Sequence, residues 1–238
     1  MRHFIFFIFG LIFGSFANVL IYRPIAGLKL NEPRFSICPI CRNKINWYDN
    51  IPLFSYIILK GRCRYCGSKI SLRYPIVELS FAVVFLLNSF LFPLDKVIAM
   101  NLIFLVSVPA FMIDLKMMLL PDYTWILVSF TALYVNLRYY REFLILDILG
   151  TVITILILLL LRTRYKEGIG EGDILLLPAF TFGCGIFYMP VLLFLSSLGG
   201  IVFSLMNKKR IIPFGPFIIF FGYLLLMLRY LNINIFML

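Results

Sequence analysis

Residues 97–115 read VIAMNLIFLVSVPAFMIDL, an apolar run long enough to cross a bilayer as a helix. The run holds a single acidic residue, Asp114, one position before its end. A carboxylate costs free energy at membrane depth, so one found there is by default a candidate functional group. The stretch Leu120-Pro121-Asp122 follows and is typical of a helix start. We therefore take Asp114 as the first candidate site residue and interpret Asp122 as a helix cap that supports it.

The composition of the 238-residue chain is that of a membrane protein. Hydrophobic residues make up 62% of it and charged residues 14%, and the mean hydropathy is +1.00. A soluble domain is about half apolar and a quarter charged. The apolar runs are continuous rather than alternating, which favours helices over a barrel. We predict an all-α polytopic fold with about eight transmembrane helices, at residues 4–22, 76–94, 97–115, 122–137, 143–161, 174–189, 190–206 and 214–231.

The distribution of basic residues predicts the orientation of these helices. Cytoplasmic loops are enriched in Lys and Arg. With the N-terminus outside, most of the Lys and Arg fall in the inside segments, above all in residues 23–75. Orientation therefore accounts for the net charge of +11 better than a nucleic-acid partner does. The same orientation places Asp114 and Asp173 at cytoplasmic helix ends. Further inside basic residues are Lys116, Arg162, Arg164, Lys166, Lys208, Lys209 and Arg210.

The polar segment 23–75 carries two Cys-x2-Cys pairs, Cys38/Cys41 and Cys63/Cys66, which are separated by 21 residues. Four thiolates at this spacing can close a tetrahedral shell around a structural zinc ion. The alternative is a pair of disulfides, which a cytosolic location disfavours. We therefore predict a small cytoplasmic zinc domain inserted after the first helix. Cys184 lies in an apolar run and is interpreted as a packing residue.

The second acidic candidate is Asp173, which ends the stretch Gly170-Glu171-Gly172-Asp173 immediately before another apolar run. Two carboxyl groups that share one proton can hydrolyse a peptide bond, because one activates water while the other hydrogen-bonds the carbonyl. Gly170 and Gly172 allow a close approach of helix or substrate. The alternative for Asp173 is an ordinary helix cap. Asp114 near a helix C-terminus faces an unfavourable dipole, which favours a functional role.

Other polar residues near the predicted membrane edges receive structural interpretations. Asn18 and Glu78 are interpreted as interhelical contacts or as support for a site, and Asp147 as interfacial. His3 is the only histidine, so a Ser/His or Cys/His hydrolase is improbable.

In this order and with these partners, the motifs resemble those of the type IV leader peptidase family, membrane aspartyl proteases that include the bacterial prepilin peptidases. The similarity extends over most of the chain. The matching stretches are residues 13–23 (FGSFANVLIYR), Cys38-Pro39-Ile40-Cys41, residues 50–56 (NIPLFSY), residues 61–66 (GRCRYC), Arg73-Tyr74-Pro75 with Glu78, Asp114 with Leu120-Pro121-Asp122, Gly170-Glu171-Gly172-Asp173, and residues 213–217 (PFGPF).

The resemblance implies a bifunctional enzyme of the bacterial inner membrane. Family members cleave type IV prepilins and pseudopilins after a Gly, then methylate the new N-terminus with S-adenosylmethionine. It implies catalytic roles for Asp114 and Asp173 and a division into a first transmembrane helix (1–22), a cytoplasmic four-cysteine zinc domain (23–75) and a transmembrane peptidase domain (76–238). Neither the methyl-donor pocket nor the oligomeric state follows from the sequence.

Two departures from the family pattern and two other functions remain open. Leu175 stands where the family often has Lys, and Arg23-Pro24-Ile25 replaces the usual Arg-x-Pro. The acidic residues Glu167, Glu171 and Asp173 could attract a basic leader. The main alternative is an ion-coupled membrane transporter that uses its membrane carboxylates for protons or cations. A non-catalytic membrane adaptor stabilised by zinc is a further alternative.

Overall fold

A computed structural model describes residues 1–165, 170–208 and 212–233. Within these ranges the chain is helical, without strands other than two isolated β-bridges. The predicted basic residues Lys166, Lys209 and Arg210 and the predicted acidic residue Glu167 lie outside the described ranges. The helices are α1 (Arg2–Ile25), α2 (Phe54–Ile58), α3 (Arg73–Leu91), α4 (Leu94–Met117), α5 (Asp122–Tyr139), α6 (Leu144–Arg164), α7 (Glu171–Cys184), α8 (Met189–Asn207) and α9 (Gly215–Tyr230).

Each of the eight predicted apolar runs overlaps one of the longer helices, α1 and α3 to α9. In the described residues, five segments are long and apolar enough to cross a membrane, and α9 is apolar but shorter. The all-helical membrane class is therefore confirmed, while eight crossings stay a prediction. The five segments are Arg2–Ile25, Arg73–Leu91, Leu94–Met117, Arg141–Arg164 and Ile186–Asn207.

The boundary between the sixth and seventh predicted spans was placed too late in the sequence. The prediction separates them at residues 189 and 190, whereas α7 already ends at Cys184. Gly185 follows with φ +88°, a left-handed conformation that is strained for other residues. A short 3₁₀ turn then leads into α8. A pattern of apolar residues cannot reveal this break because the chain stays apolar across it.

The chain forms two compact units, residues 1–93 and residues 94–238. In the first unit α1 packs along α3. A Cβ atom added at Gly10 would lie 2.5 Å from Ala82 Cα, and one at Gly14 would lie 2.7 Å from Glu78 Cα. Small residues four positions apart allow such close backbone contact between membrane helices. The polar segment between α1 and α3 belongs to the same compact unit as these two helices. The predicted domain boundaries at 22/23 and 75/76 mark changes from apolar to polar sequence, and they stay a prediction.

In the second unit, α9 packs against α4, α7 and α8. The fit between α9 and α7 is tight, because a Cβ atom at Gly222 would lie 2.4 Å from the Phe180 ring. Helix α5 packs against α4 and α7, and α6 packs against α7. Helix α9 thus lies between the two helices that carry the candidate aspartates.

A buried ion pair joins α6 to α9 at the far end of this unit. Arg229 Nη2 donates to Asp147 Oδ2 over 2.5 Å, and Arg229 Nη1 donates to the carbonyl of Gly183 over 2.9 Å. Both charged side chains are buried. The interpretation of Asp147 as simply interfacial is therefore wrong. Lys96 lies nearby, donates to the carbonyl of Tyr230 over 2.9 Å and sits over the Tyr139 ring.

We predict that Arg229→Met lowers the free energy of unfolding by about 3–5 kcal/mol, because it leaves the Asp147 carboxylate buried without its partner. Denaturant or thermal unfolding in detergent micelles measures the change. Arg138→Met, which removes an exposed charge from α5, should shift the value by less than about 0.5 kcal/mol. Equal unfolding of the two variants would contradict a structural role for the ion pair.

Candidate active site and metal centre

Asp114 lies at the end of α4, where the helix stops abruptly. Met118 has φ +54°, and its N–H donates to the carbonyl of Asp114 over 2.9 Å. This left-handed residue ends the helix, and Pro121, which is itself extended, is the N-cap of α5. The Asp114 side chain is only 4% exposed. A buried carboxylate at a helix C-terminus needs compensating contacts from elsewhere.

The start of α9 packs against this carboxylate, since a Cβ atom added at Gly215 would lie 2.6 Å from Asp114 Oδ2. Gly215 is the first residue of α9, so Asp114 also lies at the positive end of that helix dipole. The sequence identified the stretch 213–217 as a motif without assigning it a role. The pair Gly215-Pro216 is typical of a helix start, and it was the signal in the sequence that a helix N-terminus lies at this motif.

Asp173 is the third residue of α7, whose N-cap is Gly170. The N-cap of α7 is thus Gly170 and not Asp173, so the interpretation of Asp173 as that cap is wrong. The Asp173 carboxylate lies beside the N-cap, since a Cβ atom added at Gly170 would be 3.1 Å from Asp173 Oδ2. Asp173 is half-buried at the N-terminus of α7, where the helix dipole favours a negative charge.

The structure places Asp114 and Asp173 on the two sides of Leu120, which packs against Gly215 beside Asp114 and against Gly172 next to Asp173. Each has one buried carboxyl oxygen, Oδ2 of Asp114 and Oδ1 of Asp173, without a hydrogen-bond partner among the described residues. Buried polar atoms are seldom left unpaired, and those that are call for an explanation. Both of these unpaired oxygens belong to the two aspartates that the sequence singled out.

Leu120 fills the space between the glycines of the site. A Cβ atom at Gly172 would lie 2.7 Å from Leu120 Cβ, and one at Gly215 would lie 2.8 Å from Leu120 Cδ2. The Cβ at Gly215 would also lie 2.6 Å from Asp114 Oδ2. Gly172 and Gly215 are therefore needed for close approach, and Gly170 leaves space beside the Asp173 carboxylate, with its own added Cβ 3.1 Å from Oδ2.

The remaining predicted residues of this region lie at its margin. The interpretation of Asp122 as a helix cap is wrong, because the N-cap of α5 is Pro121 and Asp122 is the first residue of the helix. Asp122 is exposed, and its Oδ1 accepts a hydrogen bond from Trp125 Nε1 over 3.4 Å. Leu175, at the position where the family often has Lys, is also exposed. Glu171 forms an exposed ion pair with Arg162.

We predict that Gly215→Ala lowers peptide cleavage about a hundredfold, because the added methyl group displaces Asp114 and Leu120, and a displacement of about 1 Å can have an effect of that size. Cleavage of a prepilin in detergent-solubilised membranes measures it. The matched control is Gly200→Ala in α8, where the nearest atom to an added Cβ is 3.6 Å away. Full cleavage by Gly215→Ala would show that this contact does not position the site.

The four cysteines of the first compact unit lie on two equivalent turns. The isolated bridge between Ile37 and Lys44 encloses Cys38 and Cys41, and the bridge between Arg62 and Lys69 encloses Cys63 and Cys66. In each turn the residue after the second cysteine is left-handed and donates its N–H to the carbonyl of the first. That residue is Gly67 in one turn and Arg42 in the other. The sequence revealed only the glycine.

The sulfur atoms of the four cysteines all lie within 4.8 Å of one another. Cys38 Sγ and Cys66 Sγ are 3.9 Å apart, close to the roughly 3.8 Å edge of a tetrahedron with metal–sulfur bonds of about 2.3 Å. All are free thiols, so the disulfide alternative is not supported. Hydrogen bonding by the Ser68 hydroxyl lowers the pKa of the Cys66 thiol to about 6, which favours the thiolate form that binds metal.

The other residues singled out from the sequence have structural contacts. Asn18 Nδ2 donates to the carbonyl of Tyr74 over 3.0 Å, and Glu78 Oε2 accepts the Leu53 N–H over 2.9 Å. His3 lies 2.9 Å from the Ser89 hydroxyl and stacks on Phe90. Cys184 is fully buried, as its interpretation as a packing residue requires.

Comparison with known proteins identifies the family. Residues 8–92 match the Bacterial Peptidase A24 N-terminal domain, and residues 101–205 match the Type IV leader peptidase family. The chain belongs to the type IV leader peptidase family. The two matched regions fall one in each compact unit. No solved structure matches the chain.

Relatives with established names are similar to this family member over nearly their whole length. The prepilin leader peptidase/N-methyltransferase of Vibrio cholerae is 36% identical, over 90% of this chain and 92% of the relative. The type 4 prepilin-like proteins leader peptide-processing enzyme of Escherichia coli is 34% identical, over 87% of each chain. A prepilin leader peptidase/N-methyltransferase of Neisseria gonorrhoeae is 34% identical, over 92% of this chain and 87% of the relative. These names do not describe transporters, so the transporter alternative gains no support.

Proposed function

We propose that this chain is a prepilin leader peptidase and N-methyltransferase that processes type IV prepilins and pseudopilins after a Gly. The observation that carries the proposal is the pairing of Asp114 and Asp173, each with a buried carboxyl oxygen that lacks a partner in the described structure. Membership of the family and the names of the relatives support both activities.

Peptide cleavage follows from a pair of carboxyl groups that holds one proton. The ionised carboxyl group takes a proton from water as the water oxygen attacks the scissile carbonyl carbon. The protonated carboxyl group donates to the carbonyl oxygen, which stabilises the tetrahedral intermediate. When the C–N bond breaks, the nitrogen receives a proton and leaves as the new N-terminal amine. Asp173 keeps its position through Gly170, and Asp114 keeps its position through Gly215.

We place this site at the cytoplasmic face of the bacterial inner membrane, with the N-terminus outside and eight membrane crossings. Asp114 and Asp173 lie at helix ends rather than at helix centres, as cleavage at the membrane surface requires, because water must reach the reacting carbonyl. A prepilin leader is basic and is followed by an apolar helix, so its scissile bond lies at that surface.

Methylation of the product requires a methyl donor and an unprotonated amine. S-adenosylmethionine supplies, when bound, a methyl group made electrophilic by positively charged sulfur. The chain must then present the new N-terminal amine as a neutral nucleophile and exclude water from the reaction.

The four-cysteine cluster is proposed to hold a structural zinc ion in a cytoplasmic domain between α1 and α3. Four thiolates fill a tetrahedral shell and leave no position for reacting water, so the metal stabilises the fold rather than catalysing the reaction. The polar segment has few buried apolar residues, and a metal ion compensates for a small core.

We predict that Asp114→Asn and Asp173→Asn each lower prepilin cleavage by about 10²–10⁴-fold, because an amide cannot transfer the proton. Mass analysis of prepilin incubated with membranes measures the cleavage. The matched control is Glu142→Gln, which makes the same chemical change at an exposed position of the same compact unit. Normal cleavage by either aspartate variant, at unchanged metal content, would contradict the two-aspartate proposal.

We predict that Cys38→Ser and Cys63→Ser each lose most of the bound zinc, because a tetrahedral shell with three thiolates binds the metal more weakly. Elemental analysis of the purified protein gives the metal content. Cys184→Ala, which lies outside the cluster, should retain its zinc. Full zinc content in both serine variants would show that these four cysteines do not hold the metal ion.

A further inference from the structure

A cavity of about 720 Å³ lies within the first compact unit. This volume falls in the range of about 300–1,000 Å³ that small-molecule sites occupy. Its lining has three parts: a side of α1 that includes Phe16 and Val19, a wall formed by residues 30–36, and a wall formed by residues 47–52. The cavity thus lies between a membrane helix and the polar segment that follows it.

The side chains that line the cavity combine three kinds of chemistry. Phe16 and Trp47 contribute aromatic rings, which are 49% and 80% exposed, and Asn31 and Asn50 contribute amides. Arg34 adds a guanidinium group. Aromatic rings stack on flat heteroaromatic groups and attract cations, amides offer both donors and acceptors, and a guanidinium pairs with a carboxylate. This set fits a ligand that carries a base, a cationic centre and a carboxylate.

A buried arginine holds one wall in place. Arg23 of α1 is 8% exposed, and its guanidinium donates to the carbonyls of Pro33 over 2.6 Å, of Phe35 over 3.2 Å and of Leu30. Three hydrogen bonds from one planar group fix the course of residues 30–35 against α1. Arg23 is therefore a positioning residue for the wall that carries Asn31 and Arg34.

The wall formed by residues 47–52 is followed by a strained residue. Leu53 has φ +61°, which is uncommon for a residue with a Cβ atom. Its N–H donates to the buried Glu78 carboxylate over 2.9 Å, and this contact ties residues 51–52 of the wall to α3. Strained backbone persists where the surrounding structure fixes it and clusters at ligand sites. Residues 30–35 and 51–52 of the lining are thus each fixed by a contact with a buried charged side chain.

We infer that this cavity is the binding site for S-adenosylmethionine, with Arg34 pairing with its carboxylate and Trp47 and Phe16 contacting its adenine and sulfonium groups. The inference rests on the proposed methyltransferase function and assigns the location that the sequence left open. All three chemical features of the donor have a counterpart in the lining, and the fixed walls reduce the ordering cost of binding.

Trp47 supplies a direct reporter for this inference. The chain has two tryptophans, Trp47 and Trp125, so Trp125→Phe leaves Trp47 as the single emitter. Titration of this full-length protein in detergent with S-adenosylmethionine should change Trp47 fluorescence to saturation. In the same background, Arg34→Gln should raise the dissociation constant at least about tenfold, because it removes a charge-assisted contact. Arg141→Gln, which removes an exposed charge outside the cavity, should leave the dissociation constant unchanged.

A second measurement covers the case in which a variant folds poorly. Ultraviolet crosslinking of labelled S-adenosylmethionine to the unsubstituted protein, followed by peptide mapping, should place the label within residues 12–52. Metal content equal to that of the unsubstituted protein confirms that each variant keeps the fold of this unit.

Two outcomes would overturn the inference in distinguishable ways. If the protein methylates cleaved prepilin but Arg34→Gln binds the donor as tightly as before and the label maps outside residues 12–52, the pocket lies elsewhere and the proposed function stands. If the unsubstituted protein neither binds the donor nor methylates the product while it still cleaves prepilin, the methyltransferase proposal fails and the inference with it. Loss of phosphatidylglycerol binding in Arg34→Gln, with donor binding unchanged, would identify a lipid site instead.

Discussion

The contact between the start of α9 and the end of α4 is the constraint on which the candidate active site depends. Gly215 lies against the Asp114 carboxylate, and there is no space for a methyl group between them. Since α9 also packs against α7, the same helix brings Asp173 to that place. Both acids then lie at helix N-termini, Asp173 at its own and Asp114 at that of α9. Helix dipoles therefore offset part of the cost of burying two carboxyl groups together.

Buried charges also lie at the opposite ends of α4 and α9, and Arg229 of α9 pairs there with Asp147 of α6. Lys96 and Asp114 lie 18 residues apart on α4, roughly 27 Å at 1.5 Å per residue. Gly183 lies near the end of α7, and Arg229 lies near the end of α9. The ion pair of Arg229 with Asp147 and the hydrogen bond to Gly183 thus fix the helices at one end, while the glycines set their spacing at the other. An aspartate pair needs such a frame because proton sharing requires a constant separation.

The first compact unit combines a close helix pair with a small polar segment held by other means. Gly10 and Gly14 bring α1 and α3 into contact, and the two cysteine turns repeat one backbone design. Arg23 and Glu78 extend from these helices to hold the loops between them. These two charged residues of membrane helices thus fix the polar backbone of the loops between them.

The sequence by itself determined the helical membrane class, the family, the cysteine cluster and the identity of both candidate aspartates, because apolar run length, ligand spacing and isolated membrane charges are local properties. The end of α7 at Gly185 was missed, because the chain remains apolar across it. The partnership of Asp147 with Arg229 and the role of Gly215 beside Asp114 were decided only by the tertiary structure. These contacts join residues that are 82 and 101 positions apart. No local pattern records which helix faces meet, since packing of whole helices sets that geometry.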